Sequence, residues 1–213
     1  MLIRSQLRQH MRRKRRALPR RERREAARRV AVIAATQLVR RRFKTFACFL
    51  SADGEIDTYP LMAMLGKHGC TVWLPCLGRP PLPFNTRRSN TLRFKQWRAG
   101  IPLRRGAFGI MEPATGPRTE RAVKTLDVIF TPLVAYDSDG NRLGMGGGYY
   151  DRTFAFRRFR RYWRKPLLVG LAFSAQEVAQ LRNEPWDVPL DAVLTQKGYR
   201  LFKARRGRCG DNT

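Results

Sequence analysis

Leu126-Asp-Val-Ile-Phe-Thr-Pro-Leu-Val134 runs directly into Ala135-Tyr-Asp-Ser-Asp-Gly-Asn-Arg-Leu-Gly-Met-Gly-Gly-Gly-Tyr-Tyr-Asp151. The first part is apolar on both faces, as a strand in a helix-covered sheet must be. The second is a glycine-rich connection to a helix expected over Asp151 to Arg164. In open α/β sheets ligands bind beyond the carboxyl ends of strands, where this loop begins. Gly144, Gly146, Gly147 and Gly148 have no side chains to hold a ligand away, so their N–H groups can form an anion nest. The helix dipole and the planar fork of Arg142 would favour the same anion. A tight flexible turn is the other reading of the glycines alone. It leaves the Arg, two Tyr and an Asp in one connection unexplained. Neither common phosphate loop is present: Gly66-Lys67 precedes His68 rather than Ser or Thr, and Tyr149 stands where a dinucleotide fingerprint needs Gly.

Outward from this segment the chain alternates short apolar runs with helical ones. Thr45 to Leu50, Thr71 to Leu74, Leu167 to Phe173 and Ala192 to Leu194 read as strands. Tyr59 to Lys67 reads as a helix and Gln176 to Leu181 as a helical turn. This β–α–β rhythm predicts a three-layer α/β/α fold with a mostly parallel central sheet. Leu2, Ile3, Leu7 and Met11 recur near every fourth residue and mark an amphipathic helix to Arg16. Leu18-Pro19 interrupts, and Ala26, Val30, Ile33, Ala34 and Leu38 stripe a second helix from Pro19 to Arg42. Residues 79–125, rich in Pro, Gly and Arg, form an excursion with one or two short strands near Leu92 to Trp97. One domain over residues 1–200, with the basic helical segment 1–42 packed on it and a flexible basic tail from 201 to 213, accounts for the pattern.

The chain has 213 residues, 43% of them hydrophobic, with 44 Lys and Arg against 16 Asp and Glu, a net charge of +28. Lys occurs 8 times and Arg 36 times. No apolar stretch approaches the roughly 20 residues of a membrane span. The Arg-studded start is no secretory signal, so a cytosolic address and no membrane partner are expected. Cys48, Cys70, Cys76 and Cys209 lack zinc-binding spacing and read as buried free thiols. Residues 1–42 carry a net +14, half of the total. Arg12-Arg13-Lys14-Arg15-Arg16 reads either as a solvated helix face, the commoner fate, or as a non-specific nucleic-acid footprint.

Asn141-Arg-Leu-Gly-Met-Gly-Gly-Gly-Tyr-Tyr-Asp151, preceded by Pro132 to Asp137, closely resembles the signature of the 5-formyltetrahydrofolate cyclo-ligase family, also called methenyltetrahydrofolate synthetases. Arg4 and Arg8, Phe49-Leu50-Ser51, Gly54-Glu-Ile-Asp-Thr58, Val72-Trp-Leu-Pro75, Gly109-Ile-Met-Glu-Pro113 and Trp186-Asp-Val-Pro-Leu-Asp191 follow in family order. The resemblance implies a carbon–nitrogen ligase with ATP and a reduced folate as its small-molecule partners and Mg²⁺ as cofactor; a monomer or weak homodimer is expected. It implies ATP contacts from Arg4, Arg8, Arg142, Leu143, Gly144, Met145, Gly146, Gly147, Gly148, Tyr149 and Tyr150, with Arg8 and Arg142 assisting the chemistry. Leu50, Glu55 and Met145 to Tyr149 would meet the folate, Glu55 accepting from the pterin's N–H donors. Asp151 and Asp191 would hold the metal, which takes one or two carboxylates plus phosphates and waters.

Each position also has a plainer reading. Arg4 and Arg8 would be a solvated face, Glu55 and Asp57 a loop acid pair or helix N-cap with Thr58 opening the next helix. Asp151 would be a first-turn acid and Asp191 a turn acid before a strand. Trp97 and Tyr149 would stack on a ligand ring or, more commonly, pack in the core or at a rim. Arg4 stands where many relatives have Lys, and Gly147 where some have Lys. Arg157, Arg158, Arg160 and Arg161 follow the loop closely enough to select polyglutamylated folate tails.

Overall fold

The structure, a computed structural model, describes residues 3–77, 91–106, 111–115, 120–159 and 165–203. Helices α1 (Arg4–Arg16) and α2 (Arg20–Gln37) precede strand β1 (Thr45–Ala47), helix α3 (Tyr59–Lys67) and strand β2 (Thr71–Leu77). The excursion holds β3 (Leu92–Trp97), β4 (Leu103–Arg105), β5 (Met111–Pro113) and β6 (Glu120–Arg121). Then come β7 (Val128–Pro132), β8 (Ala135–Tyr136), β9 (Arg142–Leu143), α4 (Tyr149–Phe154), β10 (Leu167–Leu171), β11 (Ala192–Thr195) and β12 (Gly198–Leu201).

The main sheet has the order β12-β11-β10-β7-β1-β2-β3-β6. Strands β11, β10, β7, β1 and β2 are parallel, while β12, β3 and β6 pair antiparallel at the margins. The chain proceeds from β1 to β2 and β3 on one side, then returns to β7 on the other side of β1. Loops leaving β1 and β7 therefore diverge, and a crevice opens at this switch point.

Side chains alternate across the sheet with period two. Phe46, Val72, Val128, Phe130 and Val169 face α2 and α3. Ala47, Trp73, Ile129 and Leu168 face α4 and the turn after it. Burying a ring such as Phe46 or Phe130 contributes about 2 kcal/mol, and these two stack with centroids 6.2 Å apart. The expected three-layer α/β/α arrangement is present, and α1 seals the carboxyl end through Leu7, Met11, Val134, Ala135, Leu143 and Leu181. Ile3, read as part of the buried stripe, is instead exposed.

Several boundaries move for identifiable reasons. Helix α2 stops at Gln37, the chain passes through a 3₁₀ turn at Val39–Arg41, and Arg42 takes φ 65° to leave for β1. The helix expected over Asp151 to Arg164 begins earlier and is α-helical only to Phe154, followed by a 3₁₀ turn at Ala155–Phe159. Residues 160–164 lie outside the described residues. The turn expected at Gln176 to Leu181 appears as a 3₁₀ turn at Ser174–Gln176. Beyond it Val178 N–H donates to the Tyr136 carbonyl and Leu181 N–H to Asp137 Oδ2, so two donors that a helix here would need are drawn to another segment. Thr58 opens α3 from the N-cap position, its carbonyl accepting Met62 N–H, but its hydroxyl donates to the Phe49 carbonyl rather than capping, and Tyr59 N–H finds Asp57 Oδ1. Cys48, Cys70 and Cys76 are buried free thiols, and burial pushes the Cys48 thiol up. Cys209 and the tail beyond Lys203 lie outside the described residues. No described helix is long and apolar enough to cross a membrane.

Candidate active site

A cavity of about 640 Å³ occupies the switch-point crevice. That volume suits a small-molecule site. The segment after β1 supplies Phe49, Leu50, Ser51, Ala52 and Glu55, and α1 supplies Arg4 and Arg8. Arg142, Gly144 to Asp151, Trp186 and Asp187 complete the wall with Leu74 and Cys76 of β2. Candidate residues far apart in the chain thus meet at one cavity.

The glycine loop is braced from below. Asp137 is 1% exposed, and its carboxylate accepts from the N–H groups of Asp139, Asn141 and Leu181 and from Asn141 Nδ2. Gly146 at φ 104° and Gly148 at φ 63° need the left-handed region that a Cβ disfavours. At Gly148 a Cβ would also lie 2.7 Å from Arg152 Nη1. Arg152 donates to the Gly147 carbonyl at 2.7 Å and lies over the Tyr149 ring. Helix α4 has six residues, so its dipole is smaller than that of the longer helix expected.

Arg142 is the most deeply placed cation of the wall, its side chain 4% exposed. Nη2 donates to Asp151 Oδ1 at 2.6 Å, and the same oxygen accepts Val188 N–H at 3.1 Å. Its Nε is buried without a hydrogen-bond partner among the described residues. An orphaned donor of this kind costs about 1–3 kcal/mol until an acceptor arrives.

Arg8 donates Nε to the Gly144 carbonyl at 2.9 Å and stands 3.8 Å from where a Gly146 Cβ would be. Burial, then the charge of Arg4, lower its pKa, while Asp187 acts the other way. Arg4 is held by Asp187 at 2.8 Å. Glu55 accepts Ala52 N–H at 3.1 Å, and burial raises its carboxyl pKa against the lowering effects of that bond and of Arg15. Burial, then the Glu55 charge, push the Tyr150 phenol up, so it stays protonated at neutral pH and can donate a hydrogen bond.

Leu143, Trp97, Asp191, Arg157 and Arg158 are not brought to the cavity. Leu143 is buried against Met11 and Val134, its carbonyl taken by Val134 N–H. Trp97 is core, edge-on to Tyr59. Asp191 stands at the start of β11, where Oδ1 accepts from Arg157 Nη2 at 2.8 Å and Oδ2 from Leu168 N–H at 2.7 Å. Arg158 is likewise engaged, on the Pro185 carbonyl. Arg160 and Arg161 lie outside the described residues, as do Gly109 and Ile110.

A sequence model of the 5-formyltetrahydrofolate cyclo-ligase family matches residues 2–196. The chain belongs to that family. It is 37% identical over 191 residues to the 5-formyltetrahydrofolate cyclo-ligase of Haemophilus influenzae, covering 90% of this chain and 96% of the relative. The Escherichia coli K12 cyclo-ligase is 42% identical over 151 residues, covering 71% and 77%. The NMR structure of Aquifex aeolicus 5,10-methenyltetrahydrofolate synthetase superposes with a TM-score of 0.75 at 31% identity, covering 99% of this chain and 97% of that one. Family membership leaves open which groups shape the site, and four lay outside the residues read as candidates. Asp53 and the buried Arg15 emerge only in three dimensions, while Trp186 and Asp187 belong to the Trp186 to Asp191 motif and gain a place in the wall. Arg15 had one legible signal: it falls on the helical stripe of Arg4, Arg8 and Met11, the face that docks.

Proposed function

We propose that the protein converts 5-formyltetrahydrofolate and ATP to 5,10-methenyltetrahydrofolate, ADP and phosphate. The observation that carries this reading is the buried, unpartnered Nε of Arg142 on a cavity wall shared with the glycine loop and Glu55. A polyanion and a hydrogen-bonding heterocycle would be met by opposite sides of one crevice. Family membership supplies the substrate class.

A formyl amide carbon is a poor electrophile because nitrogen donates into the carbonyl. In the proposed path the formyl oxygen attacks the γ-phosphorus, ADP leaves, and the new C–O–P linkage makes that oxygen a leaving group. N10 then attacks the carbon, phosphate departs with its oxygen, and N10 gives up its proton. The residues would perform charge neutralisation and alignment, as phosphoryl transfer requires. Arg142 would turn its free Nε to a phosphate oxygen, Arg4 and Arg8 would face the remaining charge, and the Gly144 to Tyr150 backbone would line the nucleotide. Leu143 would contribute through the loop's backbone only. Leu50 and Glu55 would seat the pterin, with Met145 and Tyr149 against the folate.

Mg²⁺ would supply charge neutralisation between phosphate oxygens when bound. The residues fit one carboxylate ligand at the cavity, Asp151, with phosphates and waters completing the set. Asp191 would join it only by giving up Arg157. Among the described residues no group of three His, Cys, Asp or Glu side chains could hold a metal alone, which suits an ion that arrives with its nucleotide.

The test is direct. Purified protein with ATP, magnesium and 5-formyltetrahydrofolate is expected to generate the near-ultraviolet absorbance of the methenyl product, and an ATP-independent or absent signal overturns the reading.

A further inference from the structure

Arg15 is 1% exposed, an unusual fate for a cation in an arginine-rich helix. Its Nε and Nη2 donate to the Asp53 carbonyl at 3.1 and 2.8 Å, and Nη2 also reaches Asp53 Oδ2 at 2.9 Å. Nη1 donates to the Leu133 carbonyl at 3.2 Å and stands 3.8 Å from Glu55 Oε1. Arg12 and Arg16 converge on the same Asp53 carboxylate. Asp53 and Gly54 both adopt positive φ, at 52° and 76°, the conformation that turns the loop toward α1. One guanidinium therefore ties together α1, the segment after β1 and the end of β7.

The loop depends on this tie more than α1 does. Helix α1 is also pinned by Arg4 on Asp187, Arg8 on the Gly144 carbonyl and Met11 in the core. Apart from the Arg12 and Arg16 contacts with the same Asp53 carboxylate, the loop's other hydrogen bonds are local, Glu55 N–H to the Ala52 carbonyl and Ala52 N–H to Glu55, with Ile56 anchoring its far end. On its outer side it faces an open cleft of about 390 Å³ lined by Arg20, Arg23 and Arg24, so no packed wall supports it from behind.

We propose that Arg15, acting through Asp53, is a positioning residue for the folate half of the site, holding the 51–57 loop so that Glu55 faces the cavity. The proposal rests on the cyclo-ligase reading for the identity of the substrate. The fork is essential to it: Arg presents several donors in one plane, whereas Lys presents one centre that cannot span the Asp53 and Leu133 carbonyls together.

The test compares Arg15→Lys and Asp53→Asn with wild type and with Lys14→Ala, an exposed neighbour in the same run. Steady-state kinetics are measured with each substrate varied, calorimetry gives the Kd for 5-formyltetrahydrofolate alone, and thermal melts establish folding. Both hub variants are expected to raise KM and Kd for the folate about tenfold, to leave KM for ATP within about twofold, and Lys14→Ala to match wild type. Equal rises in both KM values, or a lowered melting temperature with unchanged folate affinity, would show a purely structural role and overturn the proposal. If Arg15→Lys does not fold, Arg15→Gln, which removes the fork but keeps one amide donor, takes its place, and Asp53→Asn reports on the shared carboxylate of Arg12, Arg15 and Arg16. An inactive wild type sinks the cyclo-ligase reading itself, whereas an active wild type with unaffected variants sinks only the role of Arg15.

Discussion

Helices α1 and α2 each carry six arginines, in 13 and 18 residues. In α1, Arg4, Arg8, Arg12, Arg15 and Arg16 all meet oxygen acceptors on distant segments. In α2 the ion pair found among the described residues is Arg29 with Glu25 at 4.0 Å, both more than 60% exposed. Such a pair contributes a few tenths of a kcal/mol at most. The two helices differ in what their cationic faces meet: α1 lies across the carboxyl ends of β1 and β7, where loops present carbonyls and carboxylates. Helix α2 covers the sheet with Ala26, Ala27, Val30, Ala31 and Ala34 and leaves Arg20, Arg21, Arg24, Arg28 and Arg29 outside, with only Arg23 half-buried among its arginines. A count of charge cannot distinguish a built cation from a solvated one.

The largest expected consequence is catalytic. Arg8→Ala should lower kcat/KM about 100-fold, in the range for removing one transition-state charge partner, while Arg24→Ala should change it less than twofold. Similar losses in the methenyl assay would erase the distinction between the helices.

Next is the acid that faces those cations. Glu55→Gln should raise KM for the folate roughly tenfold, the scale of one hydrogen bond to a charged group. Because burial raises the Glu55 pKa, the ionised acceptor is present above that pKa and lost as pH falls through it. The acid limb of the kcat/KM profile for the folate should therefore lie above the ordinary carboxylate range in wild type and flatten in Glu55→Gln. A limb unchanged by the substitution assigns it to another group.

The carboxylates extend the comparison to the metal. Asp151→Asn should raise the magnesium concentration for half-maximal activity about tenfold, and Asp191→Asn less than about twofold, since Asp191 is already committed to Arg157. The reverse order, read from magnesium titrations, would mean that Arg157 releases Asp191 in the working complex.

The smallest effect belongs to α2. Replacing Arg20, Arg21, Arg24 and Arg28 together by Gln should shift the free energy of urea unfolding by less than about 1 kcal/mol and leave turnover unchanged. If wild type binds RNA in a salt-sensitive way and this variant does not, α2 is a non-specific polyanion surface. A large stability loss instead would mean that these arginines pack rather than solvate.

Much of the fold was legible because burial leaves periodic traces. The apolar doublets of β1, β7 and β10 announced a sheet covered on both faces, and α3 lies where its pattern placed it. Helix α4 is shorter than its pattern because the α-helical path gives way at Ala155 to a 3₁₀ turn. The predicted turn after Gln176 failed for a tertiary reason, its donors being drawn to Tyr136 and Asp137. In the site, the glycine loop and Arg142 were readable from local chemistry. Asp53 was not, since an acid in a short loop looks alike whether it meets water or three arginines.

The sequence by itself determined the layered α/β architecture, the family and the glycine loop that lines the cavity, because periodicity and local turn chemistry are written in neighbouring residues. Only the tertiary structure decided which arginines are buried and paired around the cavity and which are surface. Desolvation and pairing depend on what lies within a few ångströms in space, and for Arg15 those partners come from the loop at Asp53 and the end of β7 at Leu133.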